Sequence, residues 1–122
     1  MRILLIEPSD LDRKTLALQL TRRGHEVTEA TGGRDAERVL RWLKPDLISS
    51  ENTMPGITGI NILGDLRTKG NKTIFWFLSN LDTKHDKKIG LALGANAYLS
   101  KPMNLELMDY LLSGLRIVNF CC

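Results

Sequence analysis

Residues 45–56 read PDLISSENTMPG, an apolar stretch that ends in one acidic residue and runs directly into a turn. Residues 45–50 have the character of a short buried strand, and the Pro-Gly pair at 55–56 marks the turn. Glu51 stands at the junction between strand and turn. Open α/β sheets place their chemistry at the carboxyl ends of strands. The stretch therefore predicts a strand end that carries a functional carboxylate.

On both sides of this stretch, strand and helix signals alternate. Apolar and β-branched runs predict strands at residues 2–7, 25–31, 45–50, 73–78 and 96–99. A helix follows each strand; the first carries Arg13 on its outer face, and the last begins at an Asn104 cap. The apolar side of the last helix is predicted to hold Leu107, Met108, Leu111, Leu112, Leu115 and Val118. Trp42 and Trp76 are expected in the core. Five such βα units imply a parallel five-stranded sheet with helices on both faces.

Length and composition predict one globular domain over residues 1–120. The chain has 122 residues, of which 43% are hydrophobic and 25% charged, the balance of an ordinary globular protein. It has no apolar run of about 18 residues and no block of like charge, so we expect neither membrane insertion nor direct nucleic-acid binding. The two cysteines, Cys121 and Cys122, are adjacent and cannot form a disulfide that links distant parts of the fold. A fold without disulfides fits a reducing cytoplasm.

Three segments together resemble the receiver domains of bacterial two-component systems. Residues 3–7 (ILLIE) are similar to the first strand and its acidic tip, and residues 45–59 to the phosphoacceptor strand and its loop. Residues 94–102 (GANAYLSKP) are similar to the last strand with its Lys-Pro end. The likeness covers essentially the whole chain. It implies a flavodoxin-like, doubly wound three-layer sandwich with strand order 2-1-3-4-5.

The resemblance also implies a phosphorylation site that this chain alters. Glu51 takes the place of the family's phosphoacceptor aspartate, so the chain resembles an atypical, or pseudo-, receiver. Glu7 matches the first residue of the acid pair that binds magnesium, but the second residue is Pro8, which has no side-chain oxygen. Asp10 is the nearest spare carboxylate, although it or Ser9 is expected to cap the first helix. We therefore expect a weak or absent magnesium site.

Three further positions match the family's switch residues. By resemblance, Ser79 corresponds to the hydroxyl that contacts the phosphoryl group, Tyr98 to the aromatic switch residue, and Lys101 to the lysine that contacts the acceptor. Lys101 is expected to pair with Glu51 without any phosphate. Because the family's site is open to a phosphodonor, we expect that removing this pair costs little stability. Tyr98 is expected to have a switch or interface role, with the switch held in one state.

The predicted function is signal transduction by protein–protein contact, without phosphorylation and without enzymatic activity or a cofactor. By resemblance, the contact surface is the face of the fourth helix, fifth strand and fifth helix, and it would serve a protein partner or a second copy of the chain. An output domain after Cys122 stays an open alternative. Two other functions stay open: a metal-dependent receiver that is phosphorylated on Glu51, and a flavodoxin-like cofactor binder. Against the last, residues 7–10 (EPSD) contain no glycine that would let backbone amides approach a phosphate.

Overall fold

The computed structural model of the chain describes residues 1–80, 83–114 and 120–121. Its strands are β1 (Arg2–Ile6), β2 (Glu26–Ala30), β3 (Leu47–Ser50), β4 (Ile74–Ser79), β5 (Ala97–Ser100) and β6 (Phe120–Cys121). Its helices are α1 (Asp10–Arg22), α2 (Gly33–Leu40), α3 (Gly59–Thr68), α4 (Lys84–Ala92) and α5 (Leu105–Ser113). The strands form one parallel sheet in the order β2-β1-β3-β4-β5-β6. The predicted order 2-1-3-4-5 is confirmed, and the short strand β6 is added beyond it.

The core lies in two layers, one on each face of the sheet. Successive side chains of a strand point to opposite faces, so a strand buried on both faces is apolar throughout. In β4, Phe75 and Phe77 pack with residues of α2 and α3, whereas Trp76 and Leu78 pack with residues of α1 and α5. The short connections between strands and helices gather the strand ends at one edge of the sheet.

Side-chain caps fix where four of the helices begin. Ser9, Thr58, Thr83 and Asn104 each accept a hydrogen bond from a backbone amide in the first turn of the helix that follows. Asn61 completes a capping box with Thr58 at the start of α3. Because these caps set the start of each helix beside a strand end, they also set the geometry of the loops around the carboxyl edge of the sheet.

Three details differ from the sequence-based predictions, and one prediction falls partly outside the described residues. Trp42 is 63% exposed because α2 ends at Leu40 and the tryptophan lies in the turn beyond it. Arg13 is buried rather than outward-facing, since its guanidinium hydrogen-bonds the carbonyl oxygen of Glu7 at 2.9 Å. The last helix ends at Ser113, and the predicted apolar positions Leu115 and Val118 lie outside the described residues. Strand β6 has no counterpart in the predictions; Trp76 is buried as predicted.

None of the helices in the described parts of the chain combines the length and the hydrophobicity needed to cross a lipid bilayer.

Candidate functional site

Four strand ends meet at the carboxyl edge of the sheet and bring together residues that are far apart in sequence. Glu7 follows β1, Glu51 follows β3, Ser79 ends β4, and Lys101 follows β5. The strands are adjacent and parallel, with Ile6 beside Ser50 and Ser79 beside Ser100, so these ends lie side by side. The topology alone therefore assembles the acidic and basic positions picked out from the sequence.

The ammonium group of Lys101 is the centre of this site. It donates a short hydrogen bond to Oε1 of Glu7 and a second, of 3.0 Å, to Oδ2 of Asp12. Oε1 of Glu51 lies 3.2 Å from the same nitrogen. The side chains of Lys101, Glu7 and Glu51 are only 10%, 6% and 7% exposed. One buried cation is thus shared by three carboxylates.

The protonation of Lys101 reflects two opposing effects. Burial lowers the pKa of its ammonium because it penalises the charged form. Hydrogen bonds to Glu7 and Asp12, together with the negative charges of Glu7 and Glu51, more than offset burial, and the net pKa is raised above its ordinary value. Lys101 is therefore fully charged at neutral pH.

The two glutamates are each held between the ammonium and their own loop. Oε2 of Glu51 accepts hydrogen bonds from the backbone amides of Asn52 (2.6 Å) and Thr53 (3.2 Å). Oε2 of Glu7 accepts one from the amide of Ser9 at 2.9 Å. Each carboxylate thus has one oxygen on the backbone and the other on Lys101, which fixes its orientation without any ligand.

Asp12 is a site residue that the sequence analysis missed. The analysis considered Asp10 as the spare carboxylate, but Asp10 points to solvent and pairs with Arg13 at 2.6 Å, while Ser9 caps the helix. Asp12 lies two residues further along the first turn of α1 and faces the strand ends. The sequence signal that could have found Asp12 is an acidic residue in the first turn of the helix that follows the acidic end of β1.

Ser79 and Tyr98 lie below the surface of the site. Ser79 is fully buried, and its hydroxyl has no hydrogen-bond partner among the described residues. Tyr98 is also fully buried, and its ring stacks on Phe77 with 4.8 Å between ring centroids. A Cβ atom on Gly90 of α4 would lie 2.9 Å from the Tyr98 ring, so this helix packs directly on the tyrosine. Tyr98 is therefore not exposed to a partner in this arrangement, and its switch or interface role stays a prediction.

The residues present do not fit the magnesium ion that receiver domains use. Magnesium needs oxygen ligands in near-octahedral geometry at short distances. Pro8 supplies no side-chain oxygen, and the ammonium of Lys101 stands among the carboxylates of Glu7, Asp12 and Glu51. Within residues 1–80 and 83–114, no three His, Cys, Asp or Glu side chains are arranged to hold a metal ion.

A cavity of about 320 Å³ opens next to the site, between α1 and the connection from β5 to α5. Asp12 and Lys101 form part of its wall, together with Thr15 and Gln19 of α1 and Met103 from the connection. Solvent and small solutes thus reach the Asp12 side of the ammonium, whereas the Glu51 side is packed against its own loop.

Fold and sequence together define the class of protein. The family model described as response regulator receiver domain matches residues 3–112, and the chain belongs to this family. It is therefore a receiver domain, a signalling domain of two-component systems.

Two relatives and one solved structure illustrate the similarity. The chain is 36% identical over 107 residues to the transcriptional regulatory protein AfsQ1 of Streptomyces coelicolor, covering 88% of this chain and 47% of AfsQ1. It is 31% identical over 109 residues to protein PilH of Pseudomonas aeruginosa, covering 86% of this chain and 88% of PilH. The structure of chemotaxis protein CheY4 of Vibrio cholerae superposes with a TM-score of 0.83 at 29% identity, covering 93% of this chain and 96% of CheY4. The chain spans about half the length of the first curated relatives that it matches.

Proposed function

We propose that this chain is an atypical receiver, one domain over residues 1–120, that acts through protein–protein contact without being phosphorylated. One observation carries the proposal: the charged ammonium of Lys101 is already bound by three carboxylates, one of them Glu51 at the acceptor position. A receiver that works by phosphorylation needs an acceptor free to attack and a cation to neutralise the incoming phosphoryl group. Here both the acceptor and the cationic side chain are engaged with each other.

The chemistry of Glu51 supports this proposal. A glutamate is longer than an aspartate by one methylene, which moves the carboxylate outward by roughly 1.5 Å, about one C–C bond length. One of its oxygens is held by the amides of Asn52 and Thr53, and the other faces Lys101. The negative charge is therefore permanent and fixed in place, which is the property that a phosphorylated acceptor would otherwise supply. Ser79 and Lys101 are the proposed residues that respond to this charge.

The proposed partner surface is the face formed by α4, β5 and α5. Among the described residues, the large exposed apolar side chains at the end of α4 and on α5 are Leu93, Leu105 and Tyr110. Strand β6 pairs with Ala97 and Tyr98 along the outer edge of β5. Because that backbone edge is paired, a partner protein or second copy would contact the helices rather than add a strand to the sheet. A C-terminal output domain is a further proposed partner, in keeping with relatives about twice the length of this chain.

The first expected result concerns phosphorylation itself. After incubation with acetyl phosphate and magnesium, intact-mass spectrometry should show no added phosphoryl group on the wild-type chain. The matched variant Pro8→Asp/Glu51→Asp restores the family's acid pair and acceptor. It should gain the adduct under the same conditions, because the carboxylate added at position 8 supplies a magnesium ligand that Lys101 does not already hold. An adduct mapped to Glu51 in the wild type would contradict the proposal and favour a metal-dependent receiver that uses glutamate.

A further inference from the structure

The three carboxylates around Lys101 surround a position that already holds a positive charge. Glu7, Asp12 and Glu51 come from the end of β1, the first turn of α1 and the end of β3. Their nearest oxygens all lie within 3.2 Å of one nitrogen atom. Carboxylate oxygens are also the preferred ligands of hard divalent cations. In this arrangement the ammonium of Lys101 stands where a cation bound by these carboxylates would stand.

We propose that Lys101 is a tethered cation that occupies the centre of this acidic site and thereby closes it to divalent metal ions. This inference rests on the proposed phosphorylation-independent function and explains how the domain maintains it. An ammonium joined to the chain has a very high local concentration at the site, so a free ion competes poorly with it. To bind, the ion must displace a buried ammonium that is hydrogen-bonded to Glu7 and Asp12.

Asp12 has a specific part in this arrangement. The ammonium donates hydrogen bonds to Glu7 and Asp12, on the α1 side, whereas Glu51 interacts across 3.2 Å as an ion pair. Asp12 therefore draws the lysine toward α1 and joins that helix to the end of β5. We assign Asp12 as a positioning residue, since it acts through Lys101.

The test uses Mn²⁺ as the probe and the variant Lys101→Met, which keeps much of the length of the side chain and removes its charge. Mn²⁺ is paramagnetic, so the amide NMR signals of Ser9, Asn52 and Thr53 should broaden only if the ion binds at this site. We expect no selective broadening in the wild type. In Lys101→Met we expect selective broadening and an affinity for Mn²⁺ that is higher by on the order of tenfold or more, since site charge sets cation affinity. The control Lys69→Met removes an exposed lysine that pairs with Asp65, and it should behave as the wild type.

A third variant tests the role of Asp12. Adding Asp12→Asn to Lys101→Met removes one of the three charges and should cancel most of the gain in affinity.

If the wild type binds Mn²⁺ at these amides as tightly as Lys101→Met does, or if Lys101→Met gains nothing, the inference is wrong. If Lys101→Met does not fold in metal-free buffer, refolding on addition of Mn²⁺ supports the inference, and failure to refold contradicts it. A phosphoryl adduct on the wild-type chain would overturn the proposed function whatever the Mn²⁺ titrations show, so the two failures are distinguishable.

Discussion

Replacing Lys101 by alanine should lower the free energy of unfolding by about 3–5 kcal/mol, the cost of leaving buried charges without their partner. The loss arises because Glu7 and Glu51 stay 6% and 7% exposed and would face each other without a cation. Urea denaturation followed by circular dichroism measures the difference. The matched control Lys69→Ala breaks an exposed pair with Asp65 and should change stability by only ~0–1 kcal/mol. A loss for Lys101→Ala no larger than that of the control would show that the site is effectively solvated.

The same change should be non-additive with Glu51→Ala. Removing Glu51 takes away one of the charges that the ammonium balances, so the double variant should be less damaged than the sum of the single variants. We expect the same pattern in partner binding, where either substitution alone should weaken the complex. Additive losses would mean that Glu51 and Lys101 act independently. The sequence-based expectation of a modest stability cost assumed an open site. Because the side chains of Lys101, Glu7 and Glu51 are buried, we expect a larger cost.

The pH dependence of this stabilisation follows from the raised pKa of Lys101. Its pKa in the folded protein lies above its ordinary value of 10.5, because the hydrogen bonds and charges of its partners outweigh burial. A group whose pKa is raised by folding contributes its full stabilisation below the unfolded pKa and loses it as pH rises through the folded pKa. The difference in stability between wild type and Lys101→Ala should thus be constant from pH 7 to about pH 10 and shrink above about pH 10.5. A difference that already falls between pH 7 and pH 9 would contradict this assignment.

Gly59→Ala should be the most damaging of the conservative substitutions in α3. Gly59 is the first residue of that helix, and a Cβ atom there would lie 2.5 Å from the carbonyl oxygen of Glu51 and 2.8 Å from Cε1 of Phe77. The first of these atoms belongs to the backbone and cannot rotate away, so the loop after β3 must shift. We expect a loss of ~1–3 kcal/mol, the usual cost of overpacking a well-packed site.

Gly64→Ala in the same helix is the matched control. A Cβ atom at Gly64 meets nothing within 4 Å, so alanine should stabilise the helix by ~0.5–1 kcal/mol through its better helix propensity. The two substitutions are chemically identical and should change the melting temperature in opposite directions. Equal effects would mean that the space beside Glu51 is not limiting. Because Gly59 also donates a hydrogen bond to the carbonyl of Asn52, its replacement should in addition disturb the Glu51–Lys101 pair.

Much of this arrangement was predictable because it depends on topology. Apolar runs such as residues 73–78 are read as strands from sequence alone, and a parallel sheet necessarily places the ends of its strands at one edge. Glu7, Glu51 and Lys101 follow strands, so their convergence needed no knowledge of side-chain packing. The residues that were missed depend on rotation within an element. Whether Asp10 or Asp12 faces the site is decided by the angle at which α1 lies on the sheet, and local sequence does not specify that angle.

Burial was harder to predict than secondary structure for the same reason. Trp42 was expected in the core, but two residues beyond the end of α2 the helical periodicity no longer applies. The sequence does not indicate how deeply Tyr98 is buried, and Gly90 lets α4 approach closely enough to cover it completely. In both cases the outcome depends on where one helix ends or how closely it packs, which only the assembled structure defines.

The pairing of β6 with β5 has a practical consequence for fusion proteins. A fluorescent reporter or affinity tag joined after Cys122 would be attached beside Phe120–Cys121, at the edge of the sheet that flanks the proposed partner surface. The amino terminus lies at the opposite end of the strands, where the amino group of Met1 is 3.1 Å from Nδ1 of His25. A reporter joined before Met1 would therefore leave both the lysine-centred site and the α4–β5–α5 face unobstructed. Interaction screens with this chain should use amino-terminal fusions.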